Sequence, residues 1–177
     1  MKPFNVIFEN RDFYPVEDAA KTLLNFLIEK KETVATAESC TGGLIGGAIT
    51  SVPGASAVYE QGYITYANSA KEKLLGVKRE TLDTLGAVSV ETAFQMAEGV
   101  CKASGSSLGI AVTGIAGPGG GTTEKPVGLV YIGISYKEQT RVYECHFGKD
   151  RETVRKGTVF TALCLAYKTI SQKWEEK

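Results

Sequence analysis

Two hydrophobic periods alternate along this chain, and that alternation restricts the fold more than any other feature. Residues 16–31 place Ala19, Ala20, Leu23, Leu24, Phe26, Leu27 and Ile28 at helical spacing, with Lys and Glu on the opposite side. "TVATA" (33–37) is short and β-branched, the pattern of a buried strand. "TGGLIGGAITSV" then reads as a small-residue helix stopped by Pro53-Gly54. A strand over 58–66 leads into a short helix, "NSAKEKLLG", with Asn68 as the expected N-cap and Gly76 as the stop. Residues 88–104 form a helix capped by Ser89, and "SLGIAVTG" (107–114) a second buried strand. "LVYIGISY" and "TRVYECHF" are joined by "KEQ" and suggest one antiparallel hairpin. A long helix from Asp150 carries an apolar stripe at Val154, Val159, Ala162, Leu163 and Ala166. Interleaved helices and strands of this kind predict an α/β fold, a three-layer α/β/α sandwich on a mixed sheet.

The chain has 177 residues, which fits a single domain over 1–177 with a real core. No repeat or linker interrupts it. Twenty basic and 20 acidic residues balance to zero net charge, so no direct nucleic-acid partner that needs a broad basic surface is expected. No apolar run approaches the roughly 20 residues of a membrane span, and "MKPFNVIFENRDFYPVED" lacks a leader's apolar stretch. A cytoplasmic location without membrane contact is the expectation. Cys40, Cys101, Cys145 and Cys164 are widely spaced and read as reduced thiols, and no metal or other cofactor is expected.

Chemistry concentrates in a few stretches. In "TAESCTGG" an apolar strand turns sharply into a helix, which puts the turn at the carboxyl edge of the sheet, where α/β folds bind ligands. Ser39 there is either a nucleophile or, with Thr41, a helix cap. The amides of Thr41, Gly42 and Gly43 are candidate donors to an oxyanion or other anion. Cys40 competes as nucleophile, but a small buried cysteine is the plainer reading. "GYITYANSAK" offers Tyr66 and Lys71: a lysine made neutral by burial could serve as base with a tyrosine relaying its proton, or both could be ordinary strand and helix residues.

"TGIAGPGGGTTEKPVG" (113–128) is glycine-rich without the spacing of a P-loop or a dinucleotide fingerprint. A loop of this length between buried strands suits a ligand, with a flexible surface loop as the alternative. In "GKDRETVR", Arg151 and Arg155 share a helix face and suit a phosphate, or they ion-pair with Asp150 and Glu152.

Taken together, "TAESCTGGLIGGAITSVPGASAVYEQGYITYANSAKEKLLGV", "LGIAVTGIAGPGGGTTEKPVGLVYIGI" and "FGKDRETVR" resemble the CinA C-terminal domain family. The resemblance covers most of the chain from Val34 to the last helix. It implies an α/β/α sandwich that self-associates as a homo-oligomer. It also implies a cofactor-free nicotinamide-nucleotide amidase of NAD recycling, converting nicotinamide mononucleotide to nicotinate mononucleotide and ammonia. The family's catalytic serine, tyrosine and lysine match Ser39, Tyr66 and Lys71, and its glycine-rich segment matches residues 113–121. The expected substrate contacts are Thr113, Gly114, Gly117, Gly119, Gly120, Gly121, Arg151 and Arg155. Only about thirty residues precede the serine motif, so the stand-alone form of the domain is expected. The alternatives are a serine–lysine amidohydrolase for another small amide and an inactive nucleotide-binding member.

Overall fold

The computed structural model describes residues 4–7, 15–148 and 150–171. Six strands form one mixed sheet among them: β1 (Phe4–Ile7), β2 (Val34–Glu38), β3 (Tyr59–Ile64), β4 (Leu108–Gly114), β5 (Leu129–Tyr136) and β6 (Gln139–His146). Their order is β1-β6-β5-β4-β2-β3. Strands β3, β2 and β4 run parallel, β5 runs antiparallel to both β4 and β6, and β1 joins β6 in parallel. The expected three-layer sandwich is therefore present. Two antiparallel pairings replace the one expected, because β5 turns back against β4 as well as into the hairpin with β6. Strand β1 was not anticipated.

The helices are α1 (Val16–Lys30), α2 (Leu44–Thr50), α3 (Asn68–Leu75), α4 (Arg79–Thr84), α5 (Val90–Ser104) and α6 (Arg151–Ser171). The expected end of the last helix beyond Ser171 lies outside the described residues. Helix α5 starts as its sequence predicts, with the Ser89 hydroxyl accepting from the Thr92 amide. Helix α3 does not: Ala67 occupies the cap position without a side-chain bond, and Asn68 is already inside the helix. Helix α2 also starts later than its sequence suggests, because Gly42 and Gly43 are consumed in a turn. Helix α4 is a further short element. Among the described residues no helix is long and apolar enough to cross a membrane.

The period of two along the strands sorts side chains by size. Val34, Ile110, Val112, Ile132 and Ile134 join Leu23, Leu24 and Leu27 of α1 and Leu163 of α6 in the larger core. Each such fully buried side chain contributes roughly 1.5–3 kcal/mol. The opposite face presents Ala35, Ala37 and Ala111 to Met96, Ala97 and Val100 of α5. Small residues there let α5 lie close on the sheet: a Cβ on Gly133 would fall 2.5 Å from the Ala93 carbonyl oxygen. Helix α3 lies as close to α5, since a Cβ on Gly99 would run into the carbonyl of Leu75. That contact fixes the helix that carries Lys71.

Candidate active site

The carboxyl ends of β3, β2 and β4 meet at one edge of the sheet. The Ser39 amide donates to the Val112 carbonyl at 3.1 Å, and the Thr65 amide to the Glu38 carbonyl at 2.8 Å. Ser39 therefore continues the strand pattern for one residue and sits between the ends of its neighbours. The chain then reverses through Gly42 (φ +61°) and Gly43 (φ +99°), backbone conformations that glycine adopts without steric cost. Two left-handed residues in a row bring helix α2 back over the strand end.

Lys71 is fully buried, and its Nζ lies 3.1 Å from Ser39 Oγ. The amine also donates to the carbonyls of Thr65 at 2.6 Å and Tyr66 at 3.4 Å. Among the described residues no carboxylate bonds to it. Burial therefore dominates, and it lowers the lysine from 10.5 to about 8, with a smaller opposing effect from Cys40. Ser39 itself is only half-buried, so the hydroxyl is open to a ligand while its partner amine is sealed beneath.

Tyr66 reaches the amine through its backbone carbonyl. Its side chain is 63% exposed, and the phenol makes no hydrogen bond to Lys71 or Ser39 among the described residues. The bonds that orient the amine thus come from the main chain, and the ring stands outside them. Cys40 packs in the larger core, and burial pushes its thiol up to about 12, a poor setting for a thiolate. His146 is engaged with Glu144 at 2.9 Å.

Two of the three amides expected to hold an external anion, those of Gly42 and Gly43, are already engaged within the chain. The Gly42 amide donates to the Ser39 carbonyl at 3.1 Å. The Gly43 amide donates to Glu38 Oε2 at 2.9 Å, and the Thr41 hydroxyl to the same oxygen at 2.6 Å. Ile45 and Gly46 amides complete the set on Glu38 at 3.0 and 2.8 Å. Of the turn's groups, the Thr41 hydroxyl and the Gly43 amide thus hold the chain's own carboxylate. Glu38 was missed from sequence. Its signal was an acid ending a buried strand just before a helix whose N-cap, Gly43, has no side chain to cap with.

The glycine-rich segment joins β4 to β5 at the same edge, and its root and tip differ. Thr113 is 1% exposed and spends its hydroxyl on the Ala87 carbonyl at 2.7 Å, so its expected substrate contact is replaced by a structural one. Gly114 is pressed against Val130, where a Cβ would fall 2.6 Å from a side-chain carbon. Gly117 is buried, whereas Gly119, Gly120 and Gly121 are exposed. Helix α6 brings its two arginines here. Arg151 Nη1 donates to the Gly117 carbonyl at 3.0 Å, and Arg155 Nη2 to the Thr41 carbonyl at 2.8 Å. Asp150 instead caps α6 through the Thr153 amide, and Glu152 pairs with Lys156. The ion-pair reading of the arginines is thereby replaced: each ties one loop of the site to α6.

Residues 16–170 match the family model for the CinA C-terminal domain. The structure resembles the competence/damage inducible protein CihA from Agrobacterium tumefaciens, with a TM-score of 0.86 and 44% identity, covering 92% of this chain and 100% of that one. It also resembles a competence-damaged protein (CinA) superfamily protein from Escherichia coli, with a TM-score of 0.85 and 33% identity, covering 92% of this chain and 95% of that one. A CinA-like protein of Endomicrobium trichonymphae is 48% identical over 169 residues, which is 96% of this chain and 40% of that protein. The chain spans 32% to 40% of the length of such curated relatives. With a match over nearly all of its described core and full coverage of solved relatives, the chain belongs to the CinA C-terminal domain family.

Proposed function

We propose that this protein is an amidohydrolase that removes ammonia from the carboxamide of nicotinamide mononucleotide, with Ser39 as nucleophile and Lys71 as base. The observation that carries the reading is the buried Lys71 amine 3.1 Å from Ser39 Oγ. A neutral amine has two protons to donate and one lone pair. The Thr65 and Tyr66 carbonyls take the two protons, which leaves the lone pair for the Ser39 hydroxyl. With a lysine at about 8, about a tenth of the molecules hold the neutral form at pH 7.

Ser39 Oγ attacks the carboxamide carbon as its proton passes to Lys71. The ammonium so formed stands beside the new oxyanion and offsets its charge. Lys71 returns the proton to the departing amine, ammonia leaves, and an acyl-enzyme remains. Water activated by the same amine then releases the acid. Arg151, Arg155 and the exposed glycines 119–121 are suited to the nucleotide's phosphate, since both guanidinium groups reach the loops beside Ser39.

The test is ammonia and nicotinate mononucleotide measured from nicotinamide mononucleotide, wild type beside Ser39→Ala. Loss of more than about 10³ in rate is expected, beyond the effect of a single oxyanion donor. Near-full ammonia release by Ser39→Ala would refute the scheme. Release from other small amides but not from this nucleotide would move the substrate and keep the chemistry.

A further inference from the structure

Glu38 is the only acidic side chain buried among the described residues, at 1% exposed. No Lys or Arg pairs with it there. Its two oxygens receive only neutral donors, and all four belong to the residues that follow Ser39: the Thr41 hydroxyl and the Gly43, Ile45 and Gly46 amides. These amides open helix α2, so the carboxylate also meets the positive end of that short helix. The seat that a glycine turn and a helix start would offer to a substrate's anion is filled from within.

The filled seat has a consequence for the serine. Ser39 is anchored on one side by its amide to Val112 in β4. On its other side lie two glycines at positive φ, which have no side chains to hold the turn. We propose that Glu38 is a positioning residue for the nucleophile: its carboxylate fastens the chain from Thr41 to Gly46 and thereby keeps Ser39 Oγ within reach of Lys71. This rests on the reading of Ser39 as the nucleophile. Glu38 itself makes no hydrogen bond to the lysine among the described residues.

The bonding pattern predicts a graded response. Oε2 accepts three bonds and Oε1 accepts one from Gly46. Glutamine can put its oxygen in the three-donor seat, but its NH2 then faces the Gly46 amide, donor against donor. Alanine leaves an empty seat rimmed by four donors, the right chemistry for a small carboxylate such as formate.

The experiment measures the rate at which a fluorophosphonate labels Ser39, read by intact mass. In that reaction Ser39 Oγ displaces fluoride from phosphorus and its proton passes to Lys71, so no amide substrate is needed. Glu38→Gln should label about tenfold more slowly than wild type and Glu38→Ala about 10² more slowly, the scale of a nucleophile displaced by about 1 Å. Sodium formate should restore most of the rate of Glu38→Ala, sodium chloride of equal ionic strength should not, and Glu38→Gln should not respond. Turnover of the nucleotide should fall in kcat with KM unchanged.

Labelling of Glu38→Ala at the wild-type rate, or equal action of formate and chloride, would overturn the proposal. If Glu38→Ala fails to fold, Glu38→Gln decides, and a wild-type rate there overturns it. If wild type labels at Ser39 but releases no ammonia from the nucleotide, the substrate reading fails while Glu38 is still judged by labelling. If wild type does not label at Ser39, both readings fall.

Discussion

An amine buried without a carboxylate partner among the described residues should make stability depend on pH in a defined window, and replacing Lys71 by methionine should remove that dependence. Folded, the amine titrates at about 8, and unfolded at its ordinary 10.5. Between these values the unfolded chain holds a proton that the folded chain has shed. Unfolding therefore takes up a proton there, and stability rises as pH rises. Below about 8 both states are protonated and the cost of burying the ammonium is fully present. Above 10.5 neither is, and the cost is gone. Each tenfold change in proton affinity is worth about 1.4 kcal/mol, so the interval amounts to about 3–4 kcal/mol at most. Solvent reaching the site beside half-exposed Ser39 lowers the expectation to about 2 kcal/mol.

The assay is urea unfolding of wild type and Lys71→Met at intervals from pH 7 to 10.5. Cysteine and tyrosine ionisations are common to both proteins and cancel in the difference. Wild type should gain about 2 kcal/mol on the variant across that range. Parallel curves would refute the argument that burial depresses this amine. The kinetic counterpart is labelling of Ser39, which should climb about tenfold per pH unit and level off near 8. A profile that levels only near the ordinary lysine value, or a flat one, would contradict it as well.

Two further substitutions test the surroundings of the pair. Cys40→Ala should keep turnover within about threefold of wild type and cost about 1–2 kcal/mol in urea unfolding, as the loss of one small buried group does; a loss of activity equal to that of Ser39→Ala would transfer the nucleophile to the sulfur. Gly99→Ala drives a methyl group into the Leu75 carbonyl and must part α3 from α5, so it should cost about 1–3 kcal/mol and slow Ser39 labelling about tenfold. Unaltered labelling in the folded variant would show that the lysine's position does not depend on that contact.

Legibility in the sequence followed the range of the interaction. Helix and strand periods are local, and the long elements are where the alternation puts them. The pairing of β1 with β6 joins residues 4–7 to residues 143–146, far apart in the sequence and with only four residues on one side, so no local pattern announces it. The two glycines that delay α2 read equally well as the start of a helix, because what makes them a turn is the closure of Gly43, Ile45 and Gly46 onto Glu38. Lys71 and Lys73 stand in the same short helix, yet only Lys71 is buried, one turn before buried Leu75 on the same face. That phase was readable: a lysine on the stripe where the helix period calls for an apolar residue.

Glu38 is the matching case in the strand, a charge at the end of a run buried on both faces. The two buried charges flank Ser39, and they do not pair with each other. Had Glu38 bonded to Lys71, the carboxylate would favour the ammonium and raise the lysine, leaving Ser39 without a base near neutral pH. Four neutral donors instead satisfy the acid without a cation. Two carbonyls hold the amine without an acid. The carboxylate is tied to the turn that follows Ser39, and the amine, free of it, lies within hydrogen-bond reach of the Ser39 hydroxyl.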